Sequence, residues 1–285
     1  RYWFAEHHGM DSILSSSPET LVAYFAGKTK NIRLGTGGTM VMHYSPYKVA
    51  EVFKTMSYLA PGRIDIGLGR APGSGYLEII ALAEGMPKQS DQYEKIEQIL
   101  AFLKDEKPKS VLYADAKAIP ERNADLVQPW MLGSTGNSSL RAAKMGLAYS
   151  FAKFFSVETP VEVFDNYRKN FVPSAFFEKP ELSVSYKVLI ADSKDELEYL
   201  GKAFDFTHLR QTGNIFSGIP NPEEVKDYEF TNHELDKLKH DYDKRFIIKG
   251  TKDEVASILE EEADLLKFDE LLVFSPIFGI DNRIK

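Results

Sequence analysis

The sequence predicts an α/β fold of the (β/α)8 TIM-barrel type in a single domain. Short apolar runs rich in β-branched and aromatic residues alternate with helical patterns, which is typical of βαβ units and a parallel sheet. The chain has 285 residues, 43% of them hydrophobic, enough for one large core. No linker rich in Gly, Ser or Pro divides it. We therefore expect one domain over residues 1–285, with polar, weakly periodic insertions near residues 106–128 and 205–244.

Seven segments are predicted to form parallel strands of one closed sheet: residues 1–6, 31–42, 63–70, 129–135, 148–154, 183–191 and 270–277. A TIM barrel has eight parallel strands. Because the chain enters at a strand with no predecessor, the simplest interpretation is that the first βα unit is missing ahead of residue 1. An open seven-stranded sheet is the alternative.

Helix signals separate these strands. The first two helices have a Ser-Pro start, in "SSSPETLVAYFAGKT" and "SPYKVAEVFKTMSYLAPG", where proline suits the first helical position. The second is expected to end at Pro61-Gly62. Later helices are predicted in "QYEKIEQILAFLKD", "NSSLRAAKMG", "TPVEVFDNYRKNFV", "KDELEYLGKAF" and "GTKDEVASILEEEADLL".

Composition limits the function classes. Forty-two acidic and 35 basic residues give a net charge of −7 spread along the chain, which argues against nucleic acid or an anionic membrane as partner and favours small molecules. The absence of cysteine excludes disulfides, thiolate metal sites and a cysteine nucleophile, and it fits a reducing compartment. No apolar run reaches the roughly 18 residues of a membrane span. We expect a cytoplasmic protein.

The predicted strand ends carry polar or glycine-rich sequence. In a parallel barrel the active site lies at the C-terminal ends of the strands. Those ends here read Glu6-His7-His8, Gly37-Gly38 through His43, Gly69-Arg70-Ala71 and "GSTGNSS". Consecutive histidines on a strand point to opposite faces, so at most one of the pair faces the barrel mouth. We see no ligand spacing for zinc and expect no metal site.

Two of these strand ends suggest a ligand. The "GSTGNSS" loop leads from a strand into a helix, so its amides and hydroxyls suit an anion such as phosphate, with Arg70 approaching from the neighbouring strand. An ordinary Ser/Asn helix cap is the alternative. Gly37-Gly38 in mid-strand indicates either close approach by a flat ligand or a bulge.

Five segments carry a family resemblance: "RYWFAEHH", "IRLGTGGTMVMHYSPYKVAE", "LAPGRIDIGLGRAPG", "PWMLGSTGNSS" and "DELLVFSPI". In this order and spacing, over essentially the whole chain, the sequence resembles the bacterial luciferase-like flavin monooxygenases, especially their uncharacterised single-gene members. The family folds as a TIM barrel with an insertion. Its members have a further strand and helix ahead of the "AEHH" strand, about 40 residues, or one βα unit plus a leader.

The resemblance implies a cofactor and its ligands. The family binds FMN, usually as reduced FMN delivered by a separate flavin reductase. By motif, the phosphate is expected on four residues, Arg70, Ser134, Asn137 and Ser138. The isoalloxazine is expected against Gly37 and Gly38, where the family has a non-proline cis peptide.

The resemblance also implies an activity. His7 matches the histidine implicated in luciferase catalysis. Reduced FMN and dioxygen would form a flavin C4a-hydroperoxide that transfers oxygen to a small organic substrate, in a protein that usually forms a homodimer. Two rivals stay open: a deazaflavin-dependent hydride-transfer reductase and a non-catalytic flavin-binding protein.

Two departures limit what carries over. Gly69 stands where the luciferase α chain has a cysteine, so properties attributed to that thiol do not transfer. Gly133 replaces a carboxylate at the start of the phosphate loop, which affects the phosphate contacts. The aldehyde-binding loops do not align, and light emission is not implied.

Overall fold

Parallel strands and surrounding helices alternate in the computed structural model, which describes residues 1–10, 13–86, 90–121, 125–155, 160–213, 215 and 217–283. The strands are β1 (Tyr2–Phe4), β2 (Leu34–Met40), β3 (Ile64–Gly69), β4 (Gln128–Gly133), β5 (Ala148–Ala152), β6 (Leu182–Ala191), β7 (Ile247–Thr251) and β8 (Glu270–Phe274). The α-helices are α1 (Pro18–Ala26), α2 (Pro46–Leu59), α3 (Tyr76–Leu82), α4 (Gln92–Leu103), α5 (Gly136–Met145), α6 (Pro160–Lys169), α7 (Lys194–Thr212), α8 (Pro222–Val225), α9 (Asn232–Asp243) and α10 (Lys252–Leu266). Short 3-10 turns cover Val41–His43, Val111–Tyr113 and Lys153–Phe155.

The sheet is the curved wall of a TIM-type barrel. Strands β1 to β6 pair in chain order, and all pairings are parallel. The first half of β6 lies between β5 and β8, with Leu182 opposite Tyr149 and Ser183 opposite Glu270. All seven predicted strands are therefore confirmed in one sheet, and the fold class with them. Within the described residues no ladder joins β8 to β1, so the missing first unit stays a prediction.

One strand and several helical stretches were missed by sequence reasoning. β7 extends the sheet by pairing with the second half of β6, from Lys187 opposite Ile247 to Ala191 opposite Thr251. The segment 205–244, expected to be irregular, is largely helical, because α7 continues to its end at Thr212 and α9 follows. Residues 214 and 216 lie outside the described part.

The segment 106–128 matches the expectation of little regular structure. Its described residues contain one 3-10 turn, Val111–Tyr113, before β4 begins at Gln128, and residues 122–124 lie outside the description. Whether either polar segment is an insertion stays a prediction. The loop expected after Pro72 holds a short helix, α3.

The core lies on both faces of the central strands. All six residues of β3 are buried, and the large side chains of Trp130, Tyr149 and Phe151 are 1% exposed or less. Strands covered on both faces read as continuous apolar runs, which is why they were readable in the sequence. Among the described helices, none combines the length and apolarity that a bilayer span requires.

A buried carboxylate organises the N-terminal end of the sheet. Asp65, the second residue of β3, is fully buried. Its Oδ1 accepts from Arg33 at 2.6 Å, and its Oδ2 accepts from Arg1 at 2.9 Å and from the Trp3 indole at 3.0 Å. Arg1 also donates to Glu270 of β8 at 2.8 Å. This network joins β1, β3 and β8 at the N-terminal end of the barrel. Residues at that end are expected to contribute to stability, because the active site of a TIM barrel lies at the opposite end.

We expect Asp65→Asn to lower the free energy of unfolding by about 3 kcal/mol, because it leaves the partly buried guanidinium groups of Arg1 and Arg33 without their shared counter-charge. Urea unfolding followed by tryptophan fluorescence measures the change. The matched control is Asp115→Asn, since that carboxylate is 99% exposed and lies 3.6 Å from Lys107. Equal stability of the two variants would contradict a structural role for the Asp65 network.

Candidate functional site

The predicted site residues converge on one rim of the sheet. Glu6-His7-His8 follow β1, His43 follows β2, Arg70 follows β3 and the loop from Ser134 follows β4. These four strands are sequential neighbours in a parallel sheet, so their C-terminal ends lie side by side. The structure thus brings the predicted residues to one edge, with Glu6 to His8 toward one side and the β4 loop toward the other.

Glu6 is the central acceptor of this rim. Its side chain is fully buried and accepts from the Met40 amide at 2.8 Å and from the Tyr44 hydroxyl at 2.8 Å. The Nε2 atom of His8 lies 3.0 Å from the same carboxyl group and, when protonated, is its third donor. Burial, with Glu6 beside it, raises the pKa of Tyr44, so the phenol keeps its proton. Glu6 therefore fixes the end of β1 to the end of β2.

The two histidines have different roles in this arrangement. His8 is held by Glu6, with its ring edge-on to His43 at 5.7 Å. His7 bonds through its main-chain amide to Ser15 O at 3.0 Å, but its Nδ1 is buried with no hydrogen-bond partner among the described residues. Burial lowers the pKa of His7 more than the nearby Gly73 carbonyl raises it, which favours a neutral imidazole. The two imidazoles therefore have different surroundings, and which of them faces the barrel mouth stays a prediction.

The strand β2 breaks its pairing at the glycine pair. The Gly37-Gly38 peptide is cis, as the resemblance implied, and the β2–β3 register shifts between Thr36 and Thr39. A Cβ on Gly38 would lie 2.7 Å from Gly67 O of β3, too close for any side chain. The bulge considered from the sequence is therefore present, and the close approach across it is between the two strands themselves.

The β4–α5 loop is shaped by an inward-facing serine. Thr135 caps α5, its hydroxyl accepting from Ser138 N at 3.4 Å. Ser138 is fully buried, and its hydroxyl donates to Thr135 O at 2.8 Å and lies 2.9 Å from the Tyr149 hydroxyl. A Cβ on Gly133 would lie 2.1 Å from Ser138 Oγ, so this packing requires glycine there. The Ser138 hydroxyl is thus engaged within the loop and with β5, and its role as a phosphate ligand stays a prediction.

The remaining loop residues are available to solvent to different degrees. Asn137, in the first turn of α5, is exposed, and Ser134 is half-buried. Both lie at the N-terminus of a ten-residue helix, the end that attracts anions. The fold therefore leaves Ser134 and Asn137 in positions compatible with their predicted role.

Arg70 lies on an aromatic ring. Its Cζ is 4.5 Å from the ring centroid of Tyr93 on α4, a cation–π distance, and its Nε is buried without a partner among the described residues. Arg141 of α5 contacts the same ring at 4.9 Å. Sequence reasoning missed Tyr93 and Arg141. A signal existed for Arg141, which falls one helical turn after Asn137.

A lysine ties α4 to the rim. Lys95 donates to the carbonyls of Val41, Met42 and Tyr44 at 3.1, 3.0 and 3.1 Å. These are carbonyls of the turn after β2, and burial lowers the pKa of Lys95. His43 in the same turn donates from Nε2 to Pro72 O at 2.7 Å when that nitrogen carries the proton. No group of three or more histidine and carboxylate side chains suited to a metal occurs in the described part of the chain.

Known proteins match this chain over most of its length. A family model described as luciferase-like monooxygenase matches residues 1–266. The uncharacterised protein YwcH of Bacillus subtilis is 34% identical over 287 residues, covering 100% of this chain and 85% of that protein. The N-acetyl-S-alkylcysteine monooxygenase of the same organism is 35% identical, covering 97% and 82%. The crystal structure of apo-MsnO8 has a TM-score of 0.85 at 30% identity, covering 100% and 83%.

More distant structures share the fold alone. The oxygenating constituent of 3,6-diketocamphane monooxygenase from Pseudomonas putida, in complex with FMN, has a TM-score of 0.66 at 16% identity, covering 99% of this chain and 83% of that one. A coenzyme F420-dependent tetrahydromethanopterin reductase from Methanopyrus kandleri has a TM-score of 0.63 at 14% identity, covering 99% and 86%. The fold therefore accommodates both cofactor types. The family model and the relatives at 34–35% identity show that the chain belongs to the luciferase-like monooxygenase family.

Proposed function

We propose that this protein is an FMN-dependent monooxygenase that uses reduced FMN and dioxygen to oxidise a small organic substrate. The observation that carries the proposal is Arg70, a guanidinium without a carboxylate partner in the described residues, next to the N-terminus of α5 on the strand-end rim. A phosphate monoester is the ligand that such a donor set binds best. Membership in the luciferase-like monooxygenase family supports the reaction class.

The phosphate end of the flavin fits the residues present. Arg70 would donate its guanidinium, and Ser134 and Asn137 would donate from the start of α5. Ser138 would act indirectly, since its hydroxyl holds the loop through Thr135 O. The carboxylate that luciferase has at Gly133 is absent, so the loop has no negative charge of its own that would repel a phosphate.

The ring end of the flavin is assigned to the glycine pair. We place the isoalloxazine beside the cis Gly37-Gly38 peptide because the family resemblance puts it there; in the folded chain the space next to Gly37 is filled by Trp3 and that next to Gly38 by Leu132 and the Gly67 carbonyl. His7 follows the neighbouring strand β1 and has a ring nitrogen without a partner in the described residues. We assign His7 the role of accepting or donating a proton near the reacting atoms, which a neutral imidazole can do at pH 7.

The protein's own contribution would be binding, orientation and proton handling. Reduced FMN, when bound, supplies the electrons that activate dioxygen, so that one oxygen atom enters the organic substrate. The Glu6 network holds His7 and His8 in place, and the buried walls of β2 and β3 exclude water from the reaction. We further propose a separate flavin reductase as electron source, a homodimer as the working unit and a cytoplasmic location.

The first test is an anaerobic titration with oxidised FMN, reduced FMN and reduced deazaflavin, followed by rapid mixing of the reduced complex with oxygenated buffer. We expect preferential binding of reduced FMN and an oxygen-dependent transient in absorbance. Preference for the deazaflavin without oxygen consumption would instead indicate a hydride-transfer reductase. Tight binding of oxidised FMN with no reaction would indicate a flavin carrier.

Two substitutions separate binding from chemistry. Arg70→Ala is expected to weaken FMN binding by about 1.5–3 kcal/mol, the range for a charged hydrogen bond. His7→Ala is expected to lower turnover while FMN affinity stays within a few-fold, because the imidazole is placed at the ring end. Each variant is the control for the other, with affinity measured by titration and turnover by oxygen-dependent product formation. A large loss of FMN affinity in His7→Ala would refute this division.

The lowered pKa of His7 predicts a pH-dependent stability. In the unfolded chain the imidazole binds a proton near pH 6.5, but in the folded protein it does so only at lower pH. Stability is therefore complete above pH 6.5 and falls as the pH drops toward the folded-state pKa, with a slope of up to about 1.4 kcal/mol per pH unit. Urea unfolding of the flavin-free protein at pH 7.0 and 5.5 measures it. His7→Asn should reduce the slope, whereas His233→Asn, an exposed histidine on α9, should leave it unchanged.

A further inference from the structure

Two guanidinium groups lie on one tyrosine ring at the rim. Arg70 comes from the end of β3 and Arg141 from the second turn of α5, and their Cζ atoms lie 4.5 and 4.9 Å from the ring centroid of Tyr93. Tyr93 itself stands in the first turn of α4. Residues from three separate elements thus place two positive charges next to a single aromatic ring.

Neither charge has a counter-ion in the described part of the chain. At the opposite, N-terminal end of the barrel, Arg1 is paired with Asp65 and Glu270, and Arg33 with Asp65. Arg70 and Arg141 have no carboxylate within ion-pair distance among the described residues. Like charges brought this close repel each other, and the tyrosine ring offsets that repulsion only in part.

Further donors near this ring are also without partners. The Nε of Arg70 and the hydroxyl of Tyr93 are buried and make no hydrogen bond within the described residues. Buried polar atoms are normally satisfied, so unsatisfied ones at the same place indicate a group that is supplied from outside. Because the orphaned groups are a guanidinium N–H and a phenol, that group is an acceptor with negative charge.

We propose that Arg141 is a second phosphate ligand of the flavin site, held with Arg70 on the Tyr93 ring. Arg141 lies one turn beyond Asn137 on the helix whose N-terminus forms the phosphate loop, so it reaches the same region from the α5 side. Two guanidinium groups match the roughly two negative charges of a phosphate monoester at neutral pH. The site would thereby select a phosphorylated flavin over riboflavin. This inference rests on the proposed FMN function.

The test compares reduced FMN with reduced riboflavin in anaerobic titrations of the full chain. Arg141→Gln is expected to raise the dissociation constant for FMN about tenfold or more, while that for riboflavin stays within twofold, because one charged hydrogen bond to phosphate is lost. The matched control is Lys144→Gln, the same change of charge at another exposed cation three residues further along α5, which should alter neither constant. Tyr93→Leu should also weaken the binding of FMN more than that of riboflavin, because the ring that both guanidinium groups contact is lost.

The outcomes separate this inference from the proposed function. Unchanged FMN affinity in Arg141→Gln, with weakened binding in Arg70→Ala, would overturn the role of Arg141 and leave the FMN function in place. Equal weakening of FMN and riboflavin in Arg141→Gln would also overturn it, since the effect would not reach the phosphate. A wild-type protein that binds neither flavin would refute the proposed function, and the inference with it.

Discussion

The rim depends on one buried carboxylate. Glu6 has no exposure to solvent, and it can be accommodated there because the Met40 amide, the Tyr44 hydroxyl and His8 surround it with donors. Two of those donors belong to β2 or the segment after it, so the carboxylate sets where the end of β1 lies relative to β2. His7 lies between Glu6 and His8, and its own Nδ1 has no partner among the described residues.

The two ends of the barrel differ in whether their arginines are paired with carboxylates. At the N-terminal end, Asp65 is shared by Arg1 and Arg33, and buried charge is balanced by charge. At the C-terminal end, Arg70 and Arg141 have no such partner among the described residues. An uncompensated positive region lowers the stability of a protein in the absence of a ligand and is tolerated where an anion binds. The contrast separates the end of the sheet where buried charges are paired from the end where we propose that an anion binds.

Sequence reasoning succeeded where local pattern determines structure. The central strands are buried on both faces, so their apolar runs were recognisable, and the Ser-Pro starts of α1 and α2 were read correctly because capping is local. β7 was missed because Ile247-Ile248 is a very short apolar run followed at once by Lys and Gly. The helical part of 205–212 was missed because α7 is polar over much of its surface.

Site details that depend on packing were beyond reach of the sequence. The direction of the Ser138 side chain is set by the Thr135 cap and by Tyr149 on the next strand, neither of which is visible in the motif. Tyr93 belongs to a helix that the sequence predicted well, yet its contact with Arg70 arises only because the folded chain brings the start of α4 to the residue after β3. Convergence of chain segments, and not residue type, defines these positions.

The three carbonyl bonds of Lys95 have a mechanical consequence. Lys95 lies two residues after Tyr93 on α4, and it grips the turn that leads from Met40 to Tyr44, two of the donors to Glu6. Hydrogen bonds therefore connect the helix that carries Tyr93, at one end of the rim, to the turn that holds Glu6 and the histidine cluster, at the other.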